Sequence, residues 1–393
     1  MFTLQGKLGL MFLKAYTGYS DRKLMERLST DYSFQFFCGV YFKPTDQIPG
    51  FKLISDIRSE LSSKMDITSL QSILAHSWSK YLTDTHVMLC DATAYESYIR
   101  YPTEVKLLWE CCEWLYKQMK KICKVAGLSM PRNRYADQKS KYLLYQKSRK
   151  KTFKNKRKRI KSLLYLLDKL AGQIDTIVAD LPAYIQLPAR YHKRRQTIAK
   201  IYEQQSYQYQ TGEHPAGKIV SIDKDYIRPI VRGKEVKRVE FGAKVNMIQA
   251  GGINFIEHLN FDAFHEGIRL QSSISLHKQL FGYCTHISAD GIYANNANRS
   301  YCKKEGIFTS FIRKGKPARD EKQRKEIRKL LSKERATRTE GSFGTQKNHY
   351  SLHKIKARTS KTEILWIFFG IHTANAVRMI EKITADKVPK QAA

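Results

Sequence analysis

Three acidic residues stand in settings suited to phosphodiester chemistry: Asp91 in HVMLCDATAYESYIRYPTE, Asp290 in HISADGIYANNANRSYC and Glu340 in RATRTEGSFGTQKNHY. The apolar run His86-Val87-Met88-Leu89-Cys90 leads into Asp91, and residues 281–289 lead into Asp290 in the same way. Short runs rich in β-branched and aromatic residues, closed by small or turn-prone ones, predict strands, so both aspartates are expected at strand ends. Glu340 follows residues 320–331, a charged stretch without Gly or Pro that predicts an exposed helix continuing toward it. Two strand carboxylates and one helix carboxylate can converge. Hard divalent cations take oxygen ligands and only a few protein carboxylates, leaving positions for water and phosphate oxygens. A pair of such ions roughly 3.5–4 Å apart would activate an attacking oxygen and stabilise a leaving one. The three residues therefore read as a split metal-binding triad. Asp223, Asp225 and Glu266 are weaker rivals: turn chemistry accounts for the first two, with Arg228 and Arg232 nearby to neutralise them or hold phosphate, and Glu266 beside His265 fits a helix cap.

The words around the carboxylates carry a resemblance. D-A-T-x-x-x-S-Y-I-R-Y-P-T-E-x-x-L-L from Asp91, R-P-I-x-R-G-K-x-x-K-x-V-E-F-G-A-K from Arg228, A-D-G-I-Y from Ala289 and E-G-S-F-G-x-x-K from Glu340 resemble bacterial insertion-sequence transposases of the DDE type, similar to the IS5 and IS1182 groups. The resemblance covers nearly the whole chain. It places Asp91, Asp290 and Glu340 at the three catalytic positions, and Lys347 at a lysine two helical turns after the glutamate on the same helix face. The chain departs from the wider signature in one respect. That signature has a tyrosine and an arginine at offsets where Lys333 and Ala336 stand here, leaving Arg335 or Arg338 to serve instead. Gly341 and Gly344 each weaken a helix by about 1 kcal/mol, so a bend or fraying is expected there unless DNA or tertiary packing holds the helix.

The resemblance implies a ribonuclease H-like core, two Mg²⁺ ions per site with Mn²⁺ as an alternative, and two in-line displacements. Water would cut at the end of the element, and the freed 3′-hydroxyl would then attack target DNA. Lys347 and Arg335 would position phosphate. The implied partners are double-stranded DNA, as terminal inverted repeats and as target, and a second copy of the chain, since joining two ends normally takes a dimer on DNA. The implied setting is the bacterial cytoplasm, in association with the nucleoid. A nuclease of the same fold without strand transfer, and a non-catalytic nucleic-acid-binding protein or inactive copy, are the competing readings.

Composition agrees independently. Seventy Lys and Arg against 36 Asp and Glu give a formal net charge of +34, a long-range field suited to a polyanion. The basic residues form several blocks, at 147–161, 190–195, 228–237 and 313–333, which suits a groove along duplex DNA. Within these, Lys156, Arg157, Arg159, Arg194, Arg195, Arg228, Arg232 and Lys234 join Arg335, Arg338 and Lys347 as candidate phosphate contacts. No apolar run is long enough to span a bilayer, and the patch at 8–13 lacks the basic leader and cleavage site of a signal peptide. The seven cysteines show no zinc-ligand spacing and read as reduced, partly buried thiols.

At 393 residues the chain should divide into two or three units. Residues 1–61 predict a helical N-terminal domain with a helix-turn-helix outline around Gly18-Tyr19-Ser20-Asp21; the resemblance implies a DNA-end-binding role for it, and packing on the core alone is the alternative. A helical linker follows at 62–83, then the first core strand at 84–101. Residues 102–216 predict a basic helical insertion, with apolar faces at 105–125 and 163–177. The core resumes at 217–385, with strand candidates at 218–222 and 306–311, a hairpin from 239–249 to 253–259 around Gly251-Gly252, and a last helix over 363–383; 386–393 is a tail. Pattern alone gives mixed α/β. With the resemblance, the order of elements fits an α/β ribonuclease H-like catalytic core with a helical N-terminal domain and a basic helical insertion after the first core strand.

Overall fold

The computed structural model describes residues 2–43, 45–231, 239–316 and 319–387. They divide into two compact units, Ile99–Pro229 and a larger one formed by the chain before and after it.

The larger unit opens with four helices, α1 (Leu4–Thr17), α2 (Asp21–Thr30), α3 (Tyr32–Phe37) and α4 (Lys52–Lys64), followed by α5 (Ile67–Ser79) and β1 (Val87–Glu96). Ser20 caps α2 by accepting the Lys23 N–H, as the turn between α1 and α2 requires. The second unit holds α6 (Glu104–Ala126), α7 (Tyr135–Lys147), α8 (Phe153–Ala179) and α9 (Ala189–Thr211). The chain then gives β2 (Pro229–Val231), β3 (Val239–Ala250), β4 (Ile253–Asn260), α10 (Leu270–Phe281), β5 (His286–Ala289), α11 (Asn296–Lys304), β6 (Phe308–Thr309) and α12 (Glu321–Glu334). A π turn (Arg335–Thr339) joins α12 to α13 (Glu340–His349), and α14 (Ser360–Lys387) closes the chain.

The strands form one mixed sheet in the order β2-β3-β1-β5-β6, with β4 also paired to β3. β1 runs antiparallel to β3 and parallel to β5, and β6 is parallel to β5. Gly251 and Gly252, at φ 56° and 84°, make the two-residue turn between β3 and β4, a backbone that residues with a Cβ adopt only at a cost. One face of the sheet carries Met88, Cys90, Ile248, Phe255 and Ile287 into a core with α5 and α10. Side chains alternate along a strand, so Leu89, Asp91, Thr93 and Tyr95 turn to the opposite face, under α12 and α13.

The outer edge of β4 is closed by side chains. Gln71 of α5 donates to Ile256 O at 3.0 Å and accepts the Ile256 N–H at 2.7 Å, while Asn375 of α14 does the same for Asn254 at 2.7 and 3.0 Å. Two buried amides thus replace a missing strand and leave no open edge there. The N-terminal helices pack on α14 as well: Phe12 meets Phe369 edge-on at 5.0 Å, and Lys14 and Arg58 both lie over Trp366.

The helical unit has its own core, built from the apolar faces of α6, α8 and α9, with Trp109 stacked on Tyr135 and Tyr142. It occupies Ile99–Pro229, against the expected 102–216. Residues 218–222 are not a strand: Ile219 joins this helical core instead. β6 is also shorter than expected, two residues rather than 306–311, and Phe281 belongs to α10 rather than to β5.

Asn375→Leu should strand the Asn254 N–H and C=O in a buried setting and cost about 2 kcal/mol. In urea unfolding the midpoint should fall with an unchanged slope; an unmoved midpoint would show that β4 does not need this amide.

Candidate active site

Asp91 lies within β1, not at its end. Pairing with β3 continues past it to Glu96↔Gly242, because Ala92 and Ala94 are small enough for close packing and Tyr95 is fully buried. At that point the strands come very near: a Cβ on Gly242 would stand 2.0 Å from Tyr95 O. The three polar side chains on this face of β1 are each met by the helical layer. Arg335 Nη1 donates to Asp91 Oδ2 at 2.7 Å, Lys347 Nζ donates to Thr93 Oγ1 at 2.9 Å, and the Tyr95 hydroxyl donates to Gln346 Oε1. Thr93, Tyr95 and Gln346 were not singled out from the sequence, although the i, i+2 series from Asp91 was readable there.

Register brings Asp290 to the same place. β1 and β5 pair in parallel up to Cys90↔Ala289, so the residue directly after the last pair is an aspartate on both segments. Asp290 directly follows β5 and caps the 3₁₀ turn Gly291–Tyr293, accepting the Gly291 N–H at 2.6 Å. Asp91 Oδ1 accepts the Ala92 N–H at 2.8 Å, so with Arg335 on Oδ2 both of its oxygens are engaged. Burial holds the Asp91 carboxyl above its ordinary range; the Arg335 guanidinium and the Ala92 N–H pull it back, and the Glu266 charge pushes it further up.

Glu340 follows the π turn directly and is exposed at the start of α13. It shares a helix side with Lys347, but among the described residues no three His, Cys, Asp or Glu side chains are grouped closely enough to hold a metal ion. The donor chemistry at the two aspartates nevertheless fits a divalent cation: hard oxygens at neighbouring positions, one of which has already drawn in a guanidinium. The helix does not fray at Gly341 or Gly344, which lie within α13; its irregularity is the π turn just before them.

The rival carboxylates are taken up in ion pairs: Asp223 with Arg194, Asp225 with Lys193 at 3.7 Å, and Glu266 with Lys244 at 2.7 Å. Most of the candidate phosphate contacts also have partners within their own unit. Lys156 pairs with Glu104, Arg157 lies 4.5 Å over Tyr209, Arg159 donates to Gln138 at 2.9 Å, Arg195 holds Asp175 and Arg228 donates to Asp225 O at 2.5 Å. Arg338 pairs with Glu334 at 2.5 Å, and Arg232 and Lys234 lie outside the described residues. A feature missed in the sequence is the stripe Lys154, Lys158, Lys161 and Tyr165, all exposed along one side of α8. The i, i+4, i+7 spacing inside the basic run was the available signal.

A carboxyl whose pKa is raised by folding contributes its stability below the ordinary carboxylate range and loses it as pH rises through the raised value. Ionised Asp91 therefore costs stability at neutral pH. As pH rises from ~4 toward neutral, the wild type should lose melting temperature relative to Asp91→Asn; a difference between the two that does not change with pH would refute the raised value.

Residues 287–372 match a family model described as Transposase DDE domain, and residues 4–60 match one described as Transposase domain (DUF772). No curated protein and no solved structure matches the chain. The first match begins in β5, three residues before Asp290, and runs through Glu340 and Lys347 into α14; the second runs from the start of α1 into α4. Over these two stretches, at opposite ends of the described chain, the protein is similar to transposases.

Proposed function

We propose that the chain cuts DNA at the ends of an insertion sequence and joins them to target DNA, with Asp91, Asp290 and Glu340 as its catalytic carboxylates. The observation that carries this reading is the register of β1 and β5, which sets Asp91 and Asp290 side by side on the sheet face covered by the helix that bears Arg335, Glu340 and Lys347. The order of elements, with the helical unit after the first strand, the hairpin next and the two parallel strands after that, supports a ribonuclease H-like core.

Divalent ions, Mg²⁺ or Mn²⁺, held by Asp91 and Asp290 and completed by Glu340, would supply electrophilic activation of the phosphorus and a lowered pKa for the attacking water. The chain's own groups do the rest. Lys347, beside Thr93 on the same face as Asp91, offers a point charge to a non-bridging phosphate oxygen, and the Arg335 guanidinium offers a fork. Burial of Asp91 strengthens every charge interaction at the site. The basic helical unit holds duplex DNA through the exposed stripe on α8, and two copies of the chain act on two DNA ends.

The first test is incubation with Mg²⁺ or Mn²⁺ and a plasmid carrying the DNA that flanks the gene, comparing wild type with Asp290→Asn. Outer-sphere partners of a metal are worth up to ~100-fold, so loss of a ligand should reduce cleavage by at least that. Equal products from both proteins, or none from either, would turn the reading toward a binding protein or an inactive copy. Replacing Lys154, Lys158 and Lys161 together by Glu should weaken duplex binding in fluorescence anisotropy and lower the slope of log K against log salt by about 3; an unchanged slope would place the DNA elsewhere.

A further inference from the structure

We propose that Arg335 is a positioning residue that occupies Asp91 as a stand-in cation until DNA is bound, that the π turn Arg335–Thr339 holds it there, and that a DNA phosphate then draws it away and frees the aspartate for a divalent ion. The inference rests on the reading of Asp91 as a metal ligand.

The geometry starts from the turn. An i→i+5 turn takes up one more residue than an α-helical turn, so Arg335, five residues before Glu340, stands at nearly the angle that a residue four before it would have in a plain α-helix. Ala336, which occupies the four-residue offset in sequence, is exposed. If the turn became α-helical, Arg335 would swing relative to Glu340 by one residue's angle, about 100°.

The two helices joined by the turn are anchored unequally. In α12 only Leu331 is buried, held also by Ser288 Oγ donating to Leu331 O at 2.8 Å. In α13, Phe343 and Gln346 are buried, Gln346 accepts from Tyr95 and Lys347 reaches Thr93. A change in the turn therefore moves Arg335 and leaves Lys347 in place.

The contact also blocks the ligand. The Arg335 and Asp91 side chains are only 18% and 14% exposed, and both carboxylate oxygens already accept hydrogen bonds. An arriving metal ion competes with the guanidinium for the charge and lone pairs of Oδ2. A phosphate is the natural alternative partner, because it takes the same planar fork with two hydrogen bonds. Each ligand then favours the other: phosphate on Arg335 opens Asp91, and a cation on Asp91 releases Arg335.

Mn²⁺ binding to the full chain, read by electron paramagnetic resonance, tests this without any turnover. In the absence of DNA, Arg335→Gln should bind Mn²⁺ at least about tenfold more tightly than the wild type, with Arg335→Lys between them. Adding a linear duplex of the flanking sequence should tighten the wild type toward Arg335→Gln and move the variant much less. Equal affinities of wild type and Arg335→Gln without DNA would overturn the proposal; should Arg335→Gln fail to fold by circular dichroism, equal affinities of wild type and Arg335→Lys would overturn it in the same way. If adding Asp91→Asn to Arg335→Gln leaves Mn²⁺ binding unchanged, the metal reading of Asp91 falls, and the gate with it.

Discussion

Two like charges forced into neighbouring places by parallel strand pairing are the constraint around which the larger unit is arranged. β1 and β5 are locked from Val87↔His286 to Cys90↔Ala289, and the sheet offers no way to slip that register without turning Met88, Cys90 and Ile287 out of the core. Asp91 and Asp290 must follow. Burial makes the ionised form of Asp91 costly, and the Glu266 charge adds to that cost. The helical layer offsets that cost with Arg335 on Asp91, and sets Lys347 close by on Thr93.

The remaining architecture keeps that face rigid. β3 flanks β1 along its length, and Gly242 allows the backbone of Tyr95 to approach where no side chain could fit. The edge beyond is sealed by Gln71 and Asn375, so this one edge of the sheet is tied to both α5 and α14. α14 in turn receives the N-terminal helices through Phe369 and Trp366, which links the module of the first sixty residues mechanically to the core.

The elements were legible where local chemistry agreed with the fold. The hairpin announced itself by Gly251-Gly252, α2 by its Ser20 cap, and α6 and α8 by apolar residues at helical spacing. Three features were hidden for identifiable reasons. Asp91 looked like a strand end because Ala92 and Ala94 have weak strand preference, and pairing with β3 overrode it. Residues 218–222 carry β-branched side chains that a helical core buries equally well. The π turn has no residue signature of its own; in sequence it is only one residue too many between an arginine and a glutamate.

The two central strands also set a schedule. Thr285 bonds to His86 across 199 residues of chain, with the whole helical unit made in between. Contacts of such separation close late, after local helices have formed, and large chains fold unit by unit as they emerge from the ribosome. During synthesis β1 therefore waits without its parallel neighbour while the helical unit condenses. A nascent or prematurely ended chain can carry a folded, strongly basic body and still have no acidic pair.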